Sequence, residues 1–314
     1  MSLLLPSVLF IIGLLLIIKG GDWFVDAAVW FAEVSGIPKV IVGATVVSLA
    51  TTLPEILVSV LAALQGKADM AIGNAIGSVT ANQGLILGIS LLFAPLSIRR
   101  RDYAARGLLL VLAVAALWYY ADSGVLSAAG SLVLLACFLL SMADNLRIAR
   151  RSMEKESRRS APQKGALLLN LGRFLFGTAG IVYGAHLMVE NGSLLALRLG
   201  IPEAVVGVTL MAVGTSLPEL VTAMTALCKN QGALSVGNIL GANLIDTTLI
   251  LPLCALLSGS DLAFSTQALL LDLPVCLLVS SLTVFPALLQ QQFSRWQGLA
   301  LVGMYAGYLV VLMA

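Results

Sequence analysis

Long apolar stretches follow one another along the whole chain and are separated by short polar or basic breaks. Each stretch has about twenty residues, the length that a helix needs to cross a hydrocarbon core of about 30 Å. Breaks at charge clusters and at Gly, Pro and Asn turns delimit the predicted spans. These are residues 4–30, 39–64, 70–94, 104–121, 124–144, 166–190, 203–228, 232–257, 263–285 and 296–314. The pattern predicts an all-α polytopic membrane protein of about ten transmembrane helices.

Composition supports the membrane assignment. Hydrophobic residues make up 59% of the chain and charged residues 11%, whereas soluble domains contain about 45–50% apolar residues. The arginines and lysines are concentrated at 99–106 and at 147–164. Cytoplasmic loops carry an excess of these residues, so we expect both segments, including a basic linker at 146–164, in the cytoplasm. Counting spans from them predicts a multi-pass protein of the cell membrane with both termini extracytoplasmic.

Short sequence motifs recur at a constant spacing of 164 residues. The pairs are Gly36-Ile37-Pro38 with Gly200-Ile201-Pro202, Leu53-Pro54-Glu55 with Leu217-Pro218-Glu219, and Gly73-Asn74 with Gly237-Asn238. A period this long indicates a duplicated half. Because an odd number of spans separates matching positions, the copies should cross the membrane in opposite directions, which is typical of transporters. We expect five-helix repeats at 1–145 and 165–314, with equivalent motifs at about 39–94 and 203–257.

Polar side chains gather near the middle of two equivalent spans. In the second span, Thr51, Thr52 and Glu55 lie on about one face of a helix. The seventh span repeats the pattern with Thr215, Ser216 and Glu219. An ionised carboxylate at this depth is expensive unless it is compensated, so an intramembrane acid is a functional-site hypothesis by default.

A proline precedes each of these glutamates. Because proline lacks an N–H, Pro54 cannot donate to the carbonyl of Ala50, and Pro218 cannot donate to that of Gly214. We expect each helix to kink there and to leave carbonyl oxygens free beside the acid. Irregular backbone at this depth is tolerated where it is buried in protein or lines a cavity.

The neighbouring spans carry polar stripes that continue the pattern. The third span has Asn74, Ser78 and Asn82. The eighth span has Asn238, Ala242 and Asp246. Gly-x-x-x-Gly pairs run beside both stripes and allow close helix approach, so the four helices are expected to converge. For the two asparagines Asn74 and Asn238, a role as interhelical hydrogen-bonding groups is an equal alternative.

The side chains of this constellation offer oxygen ligands. Ca²⁺ and Na⁺ prefer such ligands, whereas Zn²⁺ and copper recruit His or Cys. Glu55 and Glu219 balance the charge of one divalent ion, so one Ca²⁺ could be replaced by several Na⁺ that share the carboxylates. The expected partners are therefore these two ions, bound as substrates, and the lipid bilayer. The sequence indicates no cofactor, no nucleic acid and no obligatory protein partner.

At these residues the chain resembles the calcium/cation antiporter superfamily, the group that contains the sodium/calcium exchangers. The likeness rests on Ala50-Thr51-Thr52-Leu53-Pro54-Glu55, Gly77-Ser78-Val79-Thr80-Ala81-Asn82, Gly214-Thr215-Ser216-Leu217-Pro218-Glu219 and Gly241-Ala242-Asn243-Leu244-Ile245-Asp246. These motifs look like the two alpha repeats of the family. The span count extends the likeness over essentially the whole chain.

The resemblance implies a set of ion ligands and a mechanism. It implies that Ca²⁺ is coordinated by Thr51, Glu55, Thr215 and Glu219, with backbone oxygen near Ser48 and Ala212. It implies Na⁺ sites that also use Thr52, Ser78, Asn82, Ser216 and Asp246. It further implies that the first and sixth spans slide across the other eight to alternate access, and that Na⁺ entry drives Ca²⁺ out.

The chain departs from the family pattern at three places and leaves other functions open. Ala242 and Thr52 stand where the family usually has Ser, and Val79-Thr80-Ala81 replaces an Asn-Ile-Phe-like run. The missing hydroxyl at Ala242 removes a Na⁺ ligand, so a cation/proton antiporter is an alternative. An intramembrane hydrolase is a distant alternative, because its Gly-x-Gly-Asp and Gly-x-Ser-x-Gly motifs are missing. A passive channel would need no counter-ion. Asp272 has no repeat partner, and a structural or a proton-linked role is equally open.

Overall fold

The computed structural model describes residues 4–155, 164–198, 214–259 and 262–313, and these residues are almost entirely helical. Up to the basic linker the helices are α1 (Leu4–Ser35), α2 (Lys39–Thr51), α3 (Leu53–Leu64), α4 (Ala68–Phe93), α5 (Arg100–Ala121) and α6 (Ala128–Lys155). After it they are α7 (Lys164–Arg198), α8 (Leu217–Cys228), α9 (Gly232–Ser258), α10 (Ala268–Gln290) and α11 (Arg295–Met313). The two-residue strands are β1 (Leu96–Ser97), β2 (Val125–Leu126), β3 (Leu262–Ala263) and β4 (Gln292–Phe293).

The described helices are those of a multi-pass membrane protein. Seven of them are long and apolar enough to cross a membrane, or eight if α2 and α3 are counted as one bent span. α8 and α11 lie where the seventh and tenth spans are predicted. Residues 203–213 of the seventh predicted span fall outside the described residues. The total of ten spans therefore stays a prediction.

The predicted kink in the second span is confirmed. α2 ends at Thr51 and α3 begins at Leu53 with Pro54 in its first turn, and the two helices are bent by 47°. α8 likewise begins at Leu217, with Pro218 in its first turn. Proline is tolerated in the first turn of a helix, where its missing N–H leaves no intrahelical bond unmade. Each proline therefore lies in the first turn of a new helix, together with a glutamate.

α1 and α7 form a two-helix unit that packs through glycines. A Cβ on Gly13 would lie 2.8 Å from the carbonyl oxygen of Gly184, and one on Gly20 would lie 2.8 Å from that of Gly177. Side chains cannot enter contacts this short, so the two backbones touch. The unit is peripheral, because 28% of the apolar window of α1 and 17% of that of α7 is buried, against 72% in α4 and 78% in α9.

α9 lies at the centre of the molecule and packs on α2, also through glycines. Gly237 sits directly on the carbonyl oxygen of Val40. One turn further along, a Cβ on Gly241 would lie 2.7 Å from the Cα atom of Ala44. This backbone contact brings the end of α2 against the polar stripe of α9.

Two antiparallel pairings join loops that are far apart in the sequence. β1 pairs with β4, and β2 pairs with β3. Loops that share hydrogen bonds lie on the same side of a membrane. The positive-inside rule puts the β1 and β4 loops in the cytoplasm and the other two outside. The pairings agree with this predicted sidedness of the loops relative to one another.

We expect Gly237→Ala to destabilise the protein. The added methyl group would collide with the backbone at Val40, and overpacking of this kind costs about 1–3 kcal/mol. The melting temperature of the purified protein in detergent should therefore fall. Gly303→Ala in α11 is the matched control, because a Cβ there meets no described atom within 4 Å. Equal melting temperatures for the two variants would show that α9 does not touch α2 as described.

Candidate functional site

The two glutamates occupy equivalent places at two helix breaks. Glu55 lies in the first turn of α3 and Glu219 in the first turn of α8. The residue at the break has the same backbone conformation in both, with φ −82° and ψ 0° at Thr52 and φ −86° and ψ 6° at Ser216. The amino terminus of a helix stabilises negative charge. Each glutamate lies at such a terminus, so the helix dipole favours its ionised form.

Both glutamates are enclosed by protein. Their exposed fraction is 0%, as is that of Asp246 on α9. Both carboxylate oxygens of Glu55, both of Asp246 and Oε2 of Glu219 have no hydrogen-bond partner within the described residues. A buried carboxylate without a partner is costly, because it has lost its hydration and gained nothing in exchange.

The orphaned acids lie in one electrostatic neighbourhood. Glu55 interacts electrostatically with both Glu219 and Asp246. No ion pair joins any of the three to an arginine or lysine in the part of the chain that the structure describes. Three acids therefore share a buried space in which no described lysine or arginine pairs with them, and a bound cation would compensate their charge when they are ionised.

Hydrogen bonds across the site join the two halves of the chain. The Thr52 hydroxyl donates to Oε1 of Glu219 over 3.1 Å. The Thr51 hydroxyl donates to Oδ1 of Asn238 over 3.3 Å, and the equivalent bond runs from Thr215 to Oδ1 of Asn74, also over 3.3 Å. In each half, the threonine four residues before the glutamate is therefore held by an asparagine of the other half.

The polar stripes on α4 and α9 each end at an irregular turn of the helix. A π-helical turn begins at Asn82 in α4, and another begins at Asp246 in α9. Such turns occur mostly as single bulges and frequently at functional sites. Ser78 and Ser216 share a hydrogen bond of 3.1 Å, and Nδ2 of Asn82 lies 3.4 Å from Oγ of Ser78. The stripe of α4 therefore reaches the break before α8.

Asn243 belongs to this cluster, although neither the repeat nor the polar stripe of α9 predicts it. Nδ2 of Asn82 donates to its Oδ1 over 3.0 Å, and Asn243 is fully buried. The repeat does not reveal it, because Val79 stands at the equivalent position. Its spacing of three residues before Asp246 on one helix face could have identified it.

The remaining predicted site residues are placed as follows. Ser48 is fully buried in α2, and its hydroxyl lies 2.5 Å from the position that a Cβ on Gly241 would take. Ala212 lies outside the described residues. Ala242 is buried and offers no hydroxyl. Asp272 accepts hydrogen bonds from Tyr308 and Gln267 and is therefore compensated by protein groups.

The donor set fits a hard cation. Within the described ranges no three His, Cys, Asp or Glu side chains come together as a ready-made metal cluster. The groups that do converge are carboxylate, hydroxyl and amide oxygens, which Ca²⁺ and Na⁺ accept as ligands. A cleft of about 1320 Å³ between α7 and the α3–α4 hairpin reaches this region, with Asn74 and Thr215 in its wall.

A family model described as sodium/calcium exchanger protein matches residues 5–144 and 169–314. The chain is 36% identical over 295 residues to the inner membrane protein YrbG of Escherichia coli, with 88% of this chain and 87% of that protein covered. It is 29% identical over 340 residues to the sodium/calcium exchanger MaX1 of Methanosarcina acetivorans, with 96% and 97% covered.

A solved structure has the same fold. It is that of the sodium-calcium exchanger NCX_Mj soaked with 2.5 mM Na⁺ and 0.1 mM Ca²⁺. The TM-score is 0.83 at 30% sequence identity, and 98% of each chain is covered. The likeness therefore extends over both segments that the family model matches.

We expect Glu55→Gln to stabilise the protein when no metal ion is present. The amide keeps the size of the side chain and removes both a buried charge and its repulsion by Glu219 and Asp246, which oppose folding when no cation is bound. Thermal denaturation in chelator, with choline replacing Na⁺, measures this gain. Asp272→Asn is the control, because Asp272 already has partners. A melting temperature that rises equally in both variants would argue against a special cost at Glu55.

Proposed function

Since the chain belongs to the sodium/calcium exchanger family, whose members are transporters and not enzymes, we propose that it exchanges Ca²⁺ for Na⁺ across the membrane by alternating access. The observation that carries the proposal is the pair of fully buried glutamates with orphaned oxygens. A cation between them satisfies these oxygens and balances their charge. Both ions are substrates that are bound and released in each cycle, and the reaction needs no cofactor.

The proposal includes two inverted five-helix repeats, at about 1–145 and 165–314, joined by the basic linker. Local structure recurs at the spacing of the sequence repeat, 164 residues. The π-helical turns begin at Asn82 and Asp246, and the turns before α4 and α9 contain the positive φ angles of Gly66 (73°) and Asn230 (57°). The reciprocal strand pairings and the glycine contacts of α1 with α7 support the same relation.

We assign Ca²⁺ to the centre of the site. Its proposed ligands are Thr51, Glu55, Thr215 and Glu219, with backbone oxygen near Ser48 and Ala212. The glutamates supply two negative charges, which match one divalent ion. The hydroxyl of Thr52 already lies on Glu219 and would hold that carboxylate in place for the ion.

We assign Na⁺ to positions that share these carboxylates and add neighbouring oxygens. The additional proposed ligands are Thr52, Ser78, Asn82, Ser216 and Asp246. The bond between Ser78 and Ser216 supports this assignment, because it joins α4 to the break before α8. Na⁺ and Ca²⁺ then compete for the same carboxylates, and this competition couples the two fluxes.

Alternating access is proposed to occur by movement of the α1–α7 unit across the remaining helices, with both termini extracytoplasmic. The unit is peripheral and packs internally through backbone contacts. Such a pair can move as one body, because its own interface need not change.

Exchange of a cation for protons is the second candidate. It is favoured by Asp246, which is fully buried with both oxygens unpartnered, and by the apolar Ala242 one turn before it. In that case Asp246 carries a proton where a Na⁺ would otherwise be bound.

Transport in vesicles distinguishes the two coupling ions. We expect the purified protein in proteoliposomes to accumulate Ca²⁺ against its gradient when an outward Na⁺ gradient is imposed, and not when a pH gradient is imposed alone. Uptake driven by the pH gradient without Na⁺ would instead establish proton coupling. Uptake that needs no counter-ion would identify a channel.

Substitution of the glutamates tests the ligand assignment. We expect Glu55→Gln and Glu219→Gln each to reduce Ca²⁺ uptake at least about 100-fold, because the breaking of a buried charge interaction costs about 3–5 kcal/mol. Folding of each variant is checked by its elution volume and melting temperature. Asp272→Asn removes a buried acid outside the cluster and should retain uptake. Transport at the native rate in either glutamine variant would refute the role of that glutamate.

A further inference from the structure

A lysine at the turn between α8 and α9 bridges two acids of α1. Nζ of Lys229 lies 2.6 Å from Oδ1 of Asp26 and 3.2 Å from Oδ1 of Asp22. It also donates to the backbone carbonyl of Asp22 over 3.0 Å. One side chain therefore makes three polar contacts with α1.

These contacts join the α1–α7 unit to the rest of the molecule. α1 also lies close to α8 one turn before Lys229, where a Cβ on Gly21 would lie 2.9 Å from Oγ1 of Thr225. A second lysine, Lys39 at the start of α2, pairs with Glu33 at 3.1 Å near the end of α1. The polar links described here between α1 and the neighbouring helices thus lie at the end of α1 that faces the cytoplasm in the predicted orientation.

The equivalent positions at the opposite face carry different residues. At the spacing of the repeat, Asp22 corresponds to His186, Asp26 to Glu190, and Lys229 to Gln65. His186 and Glu190 pair with each other along α7, with 3.4 Å between Nε2 and Oε2. The turns at Gln65 and Lys229 have nearly the same backbone, with φ −85° and ψ 5° against φ −89° and ψ 10°. The two faces therefore share a scaffold but differ in charge.

We propose that Lys229 is a positioning residue for the exchange reaction, and that its ion pairs with Asp22 and Asp26 favour the conformation described here over the opposite one. The inference rests on the proposed function, because it assumes that the α1–α7 unit moves. Movement of α1 along α8 separates the lysine from both acids.

Among the described residues, the opposite conformation offers no equal replacement for these ion pairs. If the halves exchange roles, α7 approaches the turn at Gln65, which has no charge. The side chain of Lys67, two residues further on, forms no ion pair within the described residues, but Lys67 corresponds to Gln231 and not to Lys229. The lysine contacts at α1 therefore stabilise one conformation only, and the equilibrium is biased toward it.

The expected bias is moderate, because the groups are partly hydrated. Their side chains are 28%, 44% and 50% exposed for Lys229, Asp22 and Asp26. Exposed pairs are weak, so two pairs that share one lysine should change the conformational ratio about three- to tenfold. The effect should decline as the salt concentration rises.

Pulsed electron paramagnetic resonance measures the conformational ratio directly. Spin labels at Val34→Cys in α1 and Arg147→Cys in α6 report the position of α1, in a full-length protein whose native cysteines are replaced by serine. Lys229→Gln copies the residue of the opposite face and should increase the minor distance population about three- to tenfold. Lys229→Arg and Lys67→Gln should leave the distribution as in the parent protein.

Swapping the charges of Lys229 and Asp26 tests whether the ion pair itself, and not only the size of the lysine side chain, favours this conformation. Lys229→Asp should shift the distribution at least as far as Lys229→Gln, and the double variant with Asp26→Lys should return it toward that of the parent. An unchanged distribution in Lys229→Gln, or no recovery in the double variant, overturns the proposal. Because distances are measured without transport, this outcome is independent of whether the protein exchanges Na⁺ for Ca²⁺.

Transport provides the second measurement. In the Na⁺-driven assay, Lys229→Gln should lower the half-saturating Ca²⁺ concentration at the face that carries Lys229 and raise it at the opposite face, whereas Lys67→Gln should change neither. A change in maximal rate with both half-saturating concentrations unaltered would contradict a shift between conformations. If the parent protein shows no exchange, the proposed function fails, and the distance measurements alone decide the role of Lys229.

Discussion

A carboxylate inside a membrane protein needs a compensating charge, and the two fully buried glutamates receive none from the residues that the structure describes. Glu55 lies within electrostatic range of Glu219 and Asp246, and most of their oxygens lack hydrogen-bond partners in the described residues. In the proposed function, the cost of this arrangement is the driving force for cation binding. A site that satisfied its own oxygens would have no free ligands for an ion, so the proposed exchange depends on oxygens that have no partner among the described residues.

The surrounding architecture holds these acids in place without neutralising them. Proline lies in the first turn of the helices that carry them, and glycine contacts such as Gly237 on Val40 bring α9 and α2 together at backbone distance. The Thr52 hydroxyl donates to Glu219, and the neighbouring hydroxyl and amide groups bond to one another across the site. These neutral groups orient ligands without adding the positive charge that would exclude a cation.

The two halves share a scaffold but not all of their chemistry. Thr51 and Thr215 make equivalent bonds to asparagines, whereas Asn243 faces Asn82 from a position that is Val79 in the first half. Lys229, which contacts α1, is replaced by the uncharged Gln65 at the equivalent position of the first half. A strictly symmetric molecule would have equal energies in its two conformations. Differences of this kind can therefore produce a preferred conformation and unequal ion affinities at the two faces.

The sequence by itself determined the membrane class, the helix kink and the pair of candidate acids. Apolar length, proline chemistry and a constant repeat spacing are signals that are written along the chain. It did not reveal Asn243, whose partner Asn82 is 161 residues away, or the bridge from Lys229 to α1. Only the tertiary structure decided these contacts, because helix packing brings together side chains whose separation in the sequence follows neither the helical period nor the repeat.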